Sequence, residues 1–151
     1  MYPEYSLQPN LPRMLLPRCL QTLLLLVIFG AALVINLNLL GLELNFLVYA
    51  ITIIVVVILF FLDIILYYTR VKLTSYNFYP SVIEIKGKKS KQANLGGVER
   101  IDLRRNVFDK PFSTATIVLG KDFKLKGVVN YQRVYEYSRQ LWQRMHGQFY
   151  Q

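Results

Sequence analysis

The sequence predicts an α+β membrane protein in which a two-helix transmembrane hairpin is followed by a small antiparallel β-barrel or β-sandwich with a C-terminal helix. Three observations lead to this prediction. Two apolar runs, Cys19–Leu42 and Phe46–Leu66, occupy the first half of the chain. The residues that follow alternate between apolar and polar side chains, as β-strands do. From Tyr131 onward, the apolar residues recur at helical spacing.

Each apolar run is long enough to cross a bilayer core about 30 Å thick, because an α-helix rises about 1.5 Å per residue. Neither run has the polar face that a helix on a soluble protein needs. We expect a hairpin over residues 19–69, with spans at about 19–42 and 46–68, between an N-terminal segment 1–18 and a domain 70–151. A cleaved signal peptide is the alternative for the first run, but the run is long and a second span follows at once.

The positive charges indicate the topology of the hairpin. Residues 70–151 carry sixteen Lys and Arg against six Asp and Glu. Arg13 and Arg18 precede the first span, Arg70 and Lys72 follow the second, and the connection between the spans contains no Lys or Arg. The positive-inside rule therefore predicts that both termini are cytoplasmic.

Three polar residues of the hairpin are candidate functional residues. Asn36 and Asn38 lie near the outer end of the first span, where they either face interfacial water or hydrogen-bond to the other helix. Asp63 is the one ionisable residue well inside a span, and intramembrane carboxylates are often functional. Because Asp63 is close to the cytoplasmic end, we expect it to reach towards Arg70 or Lys72 rather than to conduct an ion.

Beyond the hairpin, the apolar alternation predicts five or six short strands joined by tight turns. The predicted segments are Val71–Ser75, Val82–Lys86, Val98–Arg105, Thr114–Leu119 and a strand from Phe123 onward. Strands of this length and spacing are typical of a small antiparallel barrel or a pair of sheets. The helical pattern from Tyr131 then predicts one C-terminal helix.

The stretch from about Leu73 to Leu141 resembles the bacterial pleckstrin-homology-like domain of membrane-flanked proteins. The resemblance rests on the segments KLTSYNFYPSVIEIKGKK, LGGVERIDLRRNVFDKPF, STATIVLG and FKLKGVVNYQRVYEYSRQL. In that family the domain commonly follows a pair of transmembrane helices. The resemblance implies a seven-stranded, strongly bent sheet with the C-terminal helix at one end, in a prokaryotic plasma membrane or an organelle of bacterial descent. This chain has Ser113 where the family pattern leads us to expect a glycine.

The sequence offers few residues for catalysis. His146 is the single histidine and Cys19 the single cysteine, so no Cys and His cluster can hold zinc. Gly96 and Gly97 are not followed by the Lys and Ser or Thr of a phosphate loop. We therefore expect no enzyme, no cofactor and no metal.

The three aspartates of the domain do not suggest acid–base chemistry either. Asp102, Asp109 and Asp122 fall on separate predicted strands or turns. We expect them to be exposed or to pair with neighbouring cations, for which the candidates are Arg104, Arg105 and Lys110.

A cluster of lysines lies on the first predicted turn of the domain: Lys86, Lys88, Lys89 and Lys91. Cations beside an anionic leaflet attract lipid headgroups. The alternative is a solvated turn whose charge aids solubility. Nucleic acid is not an expected partner, because an anchored domain is confined to the membrane surface.

The predicted C-terminal helix interleaves aromatic residues with arginines, a combination that is common at protein interfaces. The candidate partner-binding residues are Tyr131, Arg133, Tyr135, Tyr137 and Trp142. Packing against the sheet is the alternative role for about half of these aromatics. The first interpretation is a non-catalytic, membrane-anchored interaction protein that docks a protein partner, as an accessory subunit or assembly factor of a larger membrane complex. The alternative is an anionic-lipid headgroup sensor that uses the lysine turn.

Overall fold

The computed structural model describes residues 2–39 and 46–147. The elements follow in the order β1 Tyr5–Leu7, α1 Leu11–Leu39, α2 Phe46–Lys72, β2 Ser75–Phe78, β3 Val82–Lys86, β4 Lys91–Asn94, a 3₁₀ turn Leu95–Gly97, β5 Ile101–Arg104, β6 Thr114–Leu119, β7 Phe123–Val129 and α3 Tyr131–Gly147. Two compact units are formed, one by residues 15–68 and one by residues 2–14 together with 69–147. We call them the hairpin unit and the β-rich unit.

The helices α1 and α2 are long and apolar enough to cross a membrane, as the sequence predicts. They contain 29 and 27 residues, and none of the residues in the most apolar stretch of either helix is buried by protein. A core helix of a soluble protein would be largely buried. The predicted end of the first span at residue 42 lies outside the described residues.

Helix α1 begins at Leu11, earlier than the predicted start of the first span at residue 19. The side chain of Asn10 caps it, because its Oδ1 accepts a hydrogen bond of 2.9 Å from the backbone N–H of Arg13. Pro12 fits the first turn, where a missing N–H leaves no helical bond unmade. The N-terminal segment therefore contains a strand and the first two turns of a helix, which the sequence analysis did not predict.

The β-rich unit contains two antiparallel sheets, so the predicted α+β class and antiparallel pairing are confirmed. The strand order is β1-β2-β3-β4 in one sheet and β5-β6-β7 in the other. Strand β1 precedes the hairpin in the chain and β2 follows it, yet they pair directly, with Tyr5 opposite Phe78. Six strands follow the hairpin, and β1 adds a seventh.

The strand predicted over Val71–Ser75 is wrong in all but its last residue. Helix α2 continues to Lys72, and β2 begins only at Ser75. No glycine or proline interrupts the sequence from 46 to 72, so the helix has no reason to end earlier. The last turn is completed by the N–H of Leu73, which donates to the carbonyl of Thr69 over 3.1 Å. Val71 packs into the β-rich unit and is 5% exposed.

Helix α3 confirms the predicted C-terminal helix and covers one side of the hydrophobic core. Its buried residues are Val134, Ser138 and Leu141. The core residues from the strands and the turn between β4 and β5 include Tyr76, Phe78, Ile83, Leu95, Val98, Ile117, Leu119, Leu125 and Val128. Ile101 and Leu103 of β5 and Leu125 of β7 face this core, so the residues that alternate with them lie on an outer face of the three-stranded sheet.

Candidate functional site

The lysine turn is the loop between β3 and β4 together with its flanking lysines, Lys86, Lys88, Lys89 and Lys91. All four lysines are exposed. Among the described residues, the acidic side chains that form ion pairs are Asp63, Asp102 and Asp109, and none of them pairs with a lysine of this turn. The four ammonium groups are therefore available to an external anion.

One acidic residue, Glu84, lies beside the lysine turn but is held by neutral donors. The hydroxyl of Ser90 donates to its Oε1 over 2.7 Å. The Asn77 amide and the Tyr79 hydroxyl donate to its Oε2, each over 3.4 Å. The pKa of Glu84 lies below its usual value, chiefly because of the Ser90 hydrogen bond, although burial opposes this. The carboxylate thus shapes the turn without neutralising a lysine.

The lysine turn lies at the end of the four-stranded sheet where the chain enters β2 from α2. Ser75, the first residue of β2, pairs with Lys86. A Cβ on Gly87 would lie 3.3 Å from the Thr74 hydroxyl oxygen, so the turn packs directly against the chain that leaves α2. The Thr74 hydroxyl in turn donates to the carbonyl of Arg70 over 2.8 Å. Only residue 73 separates the end of α2 at Lys72 from Thr74, which makes this contact.

The aromatic residues of α3 mainly serve the fold of the β-rich unit. The Trp142 indole N–H donates to the carbonyl of Val98 over 2.7 Å, and the Tyr135 hydroxyl donates to the carbonyl of Ile101 over 3.4 Å. Ile101 begins the edge strand β5, so these side chains satisfy backbone groups that the sheet leaves open. Tyr131 is half-buried, with the Arg105 guanidinium 5.0 Å from its ring centroid.

The remaining predicted partner-binding residues, Arg133 and Tyr137, lie beside β1. The Tyr137 hydroxyl donates to Oε2 of Glu4 over 2.7 Å, and its ring meets that of Tyr5 edge-on at 6.0 Å. Burial and the Glu4 carboxylate together raise the pKa of Tyr137. Arg133 is exposed and lines a groove of about 360 Å³ with these residues and Gln140.

In the hairpin unit, Asp63 has a partner that the sequence analysis did not name. Arg18 of α1 donates to both carboxylate oxygens of Asp63, from Nε over 2.9 Å and from Nη2 over 2.6 Å. The Thr22 hydroxyl donates to the same carboxylate over 2.9 Å. The Asn36 amide donates to the carbonyl of Ala32 in its own helix over 2.8 Å, and Asn38 is exposed. The charged pair therefore joins α1 to α2 within this unit.

A second ion pair, Arg13–Asp109, lies inside the β-rich unit and overturns the prediction for Asp109. That aspartate is buried with an exposure of 0%, and Arg13 Nε donates to it over 2.6 Å. The Thr114 hydroxyl and the backbone N–H of Asn106 also donate to this carboxylate. Burial alone would raise the pKa of Asp109, but the Arg13 hydrogen bond and the other donors lower it below its usual value.

No local pattern in the sequence indicates this pair, because its members are 96 positions apart. Arg13 was assigned only to membrane topology, and Asp109 was expected to be exposed or to pair with a nearby cation. The prediction for Asp102 is confirmed, since Arg104 lies 3.8 Å from it. Arg100, which was not predicted, is closer at 3.2 Å.

Comparisons of the chain with protein family models, curated proteins and solved structures gave no match. Proposals about function therefore rest on the residues described above. In the part of the chain that the structure describes, no three His, Cys, Asp or Glu side chains come together as metal ligands. The β-rich unit also exposes many cations, the four lysines of the turn among them, and such groups can bind anions without covalent chemistry.

Proposed function

We propose that this protein is a non-catalytic, membrane-anchored binding protein whose β-rich unit engages anionic lipid headgroups through the lysine turn. The observation that carries this proposal is the contact between Gly87 in the turn and Thr74, two residues beyond the end of α2. This short chain separation between α2 and exposed lysines supports contact of the turn with the headgroups.

The anchoring part of the proposal is supported by α1 and α2, whose apolar surfaces are not covered by protein. The pairing of β1 with β2 requires both ends of the hairpin to be on one side of the bilayer. Arg70 and Lys72 in the last turn of α2 favour the cytoplasmic side by the positive-inside rule. A prokaryotic plasma membrane is the location we propose.

The pleckstrin-homology-like type of the domain is also a proposal. It is supported by a four-stranded and a three-stranded antiparallel sheet followed by one C-terminal helix. It is supported further by Ser113, which has a φ of 49° at the position where the resemblance leads us to expect a glycine. A positive φ is the conformation that glycine adopts most readily.

The electrostatic attraction of the turn depends on its distance from the bilayer. Each lysine near an anionic leaflet contributes about 1 kcal/mol. This attraction decays over a Debye length of about 8 Å at physiological salt. The contact of the lysine turn with Thr74, two residues beyond the end of α2, supports a short distance to the leaflet.

The proposal is tested with the full-length protein, because a fragment that starts after the hairpin would lack β1 and Arg13. The protein is placed in nanodiscs of phosphatidylcholine and phosphatidylglycerol in equal parts, and native mass spectrometry counts the lipids that stay bound. We expect the Lys86→Ser, Lys88→Ser, Lys89→Ser, Lys91→Ser variant to retain phosphatidylglycerol at least about tenfold less than the wild type.

A matched control removes the same number of positive charges elsewhere, by Gln substitution of Lys110, Arg133, Arg139 and Arg144. This control should retain phosphatidylglycerol like the wild type. High salt should reduce wild-type retention, because the attraction is screened. The proposal would be contradicted if both variants lost equal amounts of bound phosphatidylglycerol, or if the variant with the four lysines of the turn replaced by Ser lost none.

A second candidate function, the docking of a protein partner, is favoured by the groove between β1 and α3. Its accessible residues include Glu4, Arg133, Glu136 and Gln140. In this interpretation the protein is an accessory subunit or assembly factor of a larger membrane complex. A photo-crosslinker at position 133 should then give one stoichiometric adduct in native membranes, and a crosslinker at position 110 should give none.

A further inference from the structure

A basic cleft lies on the outer face of the three-stranded sheet and is formed by residues other than those of the lysine turn. Its volume is about 310 Å³, and four cations, Arg100, Arg104, Lys121 and Lys124, line it together with one acidic residue, Glu99. The strand register explains this grouping. Asp102 pairs with Val118, and Val118 pairs with Lys124, so these three side chains share the face that points away from the core. We call this feature the arginine cleft.

The two arginines of the cleft are held by one carboxylate oxygen. Oδ2 of Asp102 lies 3.2 Å from Nε of Arg100 and 3.8 Å from Nη2 of Arg104. The arginine side chains remain 70% and 62% exposed, so most of their N–H groups face solvent. A guanidinium fork matches two oxygens of a phosphate, and Asp102 restricts the positions of both forks.

The arginine cleft is continuous with the lysine turn. A neighbouring cleft of about 410 Å³ is lined by Lys91, the last lysine of the turn, and by Lys121 of the turn between β6 and β7. Lys121 and Gly120 also line the arginine cleft. Cations therefore continue from Lys91 through Lys121 to the two arginines, and they outnumber the acidic residues that line the same two clefts, Asp122 and Glu99.

We propose that the arginine cleft binds the phosphomonoester headgroup of an anionic lipid of the phosphatidic acid class. This inference rests on the proposed function, since it requires the basic surface to face the leaflet. A phosphomonoester has three free acceptor oxygens and a charge of about −1.5 to −2 near neutral pH. A phosphodiester such as phosphatidylglycerol has two free oxygens and one negative charge. Two arginine forks and two lysines match the first headgroup better than the second.

The test uses the full-length protein in phosphatidylcholine nanodiscs that contain equal amounts of phosphatidic acid and phosphatidylglycerol. Native mass spectrometry measures which anionic lipid stays bound. We expect the wild type to prefer phosphatidic acid by about tenfold, as one additional charge-assisted hydrogen bond would give. The variant Arg100→Gln, Arg104→Gln should lose this preference, while unchanged Trp142 fluorescence shows that the β-rich unit is folded.

A conservative variant separates charge from geometry. Arg100→Lys, Arg104→Lys keeps the charge of the cleft but removes the forks. We expect it to retain as much total anionic lipid as the wild type and to lose the preference for phosphatidic acid. If Arg100→Lys, Arg104→Lys kept the wild-type preference for phosphatidic acid, the preference would not depend on guanidinium forks. That result would refute the proposed binding mode of the arginine cleft.

The outcomes distinguish this inference from the proposed function. One outcome is that Arg100→Gln, Arg104→Gln still prefers phosphatidic acid while the Lys→Ser variant of the turn loses anionic lipid. Phosphomonoester binding by the arginine cleft is then refuted, and lipid binding by the lysine turn is supported. If the glutamine variant loses the preference while the lysine-turn variant retains all anionic lipid, the lysine turn is refuted as the binding surface. If inorganic phosphate displaces phosphatidic acid completely from the wild type, the cleft binds a soluble phosphate compound and the lipid assignment is overturned.

Discussion

The Arg13–Asp109 pair should control the stability of the β-rich unit. In Arg13→Met, the aliphatic stem is kept and the guanidinium is lost. The side chains of Arg13 and Asp109 are 6% and 1% exposed, so the substitution leaves a buried carboxylate without its cation. Removing one partner of a buried pair costs about 3–5 kcal/mol. Because Thr114 and the Asn106 N–H still donate to Asp109, we expect about 3 kcal/mol, at the low end of that range.

The assay is urea unfolding of the full-length protein in mild detergent, followed by tryptophan fluorescence. Trp142 is the single tryptophan and is hydrogen-bonded to Val98, so its emission reports on the β-rich unit. With an m-value of about 1.5 kcal/mol/M, a loss of 3 kcal/mol lowers the unfolding midpoint by about 2 M. Arg139→Met removes an exposed arginine of α3 and should leave the midpoint unchanged.

Adding Asp109→Asn to Arg13→Met should restore part of the stability, because the buried charge is then gone. A shift below about 0.5 M for Arg13→Met, or a double variant less stable than the single one, would refute the reasoning.

The pH dependence gives an independent check. The folded-state pKa of wild-type Asp109 is lowered, so its stabilisation is present above the ordinary pKa of about 3.9 and is lost as the pH falls through the lower folded value. Without Arg13, burial raises the pKa of Asp109. Protonation then stabilises the variant at low pH, so the difference in unfolding free energy between variant and wild type should shrink from pH 7 to about pH 5.

Two further predictions concern the turn before β6 and the hairpin unit. Ser113→Gly should stabilise the β-rich unit by about 1 kcal/mol in the same urea assay, because Ser113 has a φ of 49°, which disfavours side chains with a Cβ. The control Ser81→Gly, at a position without a positive φ, should destabilise the β-rich unit. A loss of stability in Ser113→Gly would show that the turn at Ser113 is not strained. Arg18→Gln should lower the unfolding free energy of the helices in detergent, measured by far-UV circular dichroism during heating, by about 1–2 kcal/mol. The loss is smaller than for a fully buried pair because the Arg18–Asp63 pair is about one-third exposed. Arg18→Gln combined with Asp63→Asn should recover most of that loss, and equal stability of the single variant and the wild type would refute a stabilising role.

The parts of the fold that were predicted correctly have local sequence signals. The apolar runs predict α1 and α2, the alternation in Val82–Lys86 and Thr114–Leu119 predicts β3 and β6, and the helical spacing predicts α3. The exposure of the lysine turn also follows from its composition. These signals come from residues within a few positions of one another, so one sequence is enough to recognise them.

The features that were missed depend on residues far apart in the chain. Strand β1 has only three residues, and its partner β2 begins 68 residues after β1 ends. The burial of Asp109 depends on Arg13, which a charge count assigns to membrane topology. The aromatic residues of α3 are predicted either to pack or to bind a partner, and only the fold reveals that Trp142 and Tyr135 donate to backbone carbonyls.

The pairing of β1 with β2 links the synthesis of this protein to the insertion of its hairpin. As the chain emerges from the ribosome, Tyr5–Leu7 is made before the hairpin and stays unpaired until both spans and Phe78 have been synthesised. If one span failed to insert, Tyr5 and Phe78 would be on opposite sides of the bilayer and the sheet would remain open at its edge. An open edge is prone to aggregation and proteolysis. The four-stranded sheet can therefore close only when both of its ends lie on the same side of the bilayer.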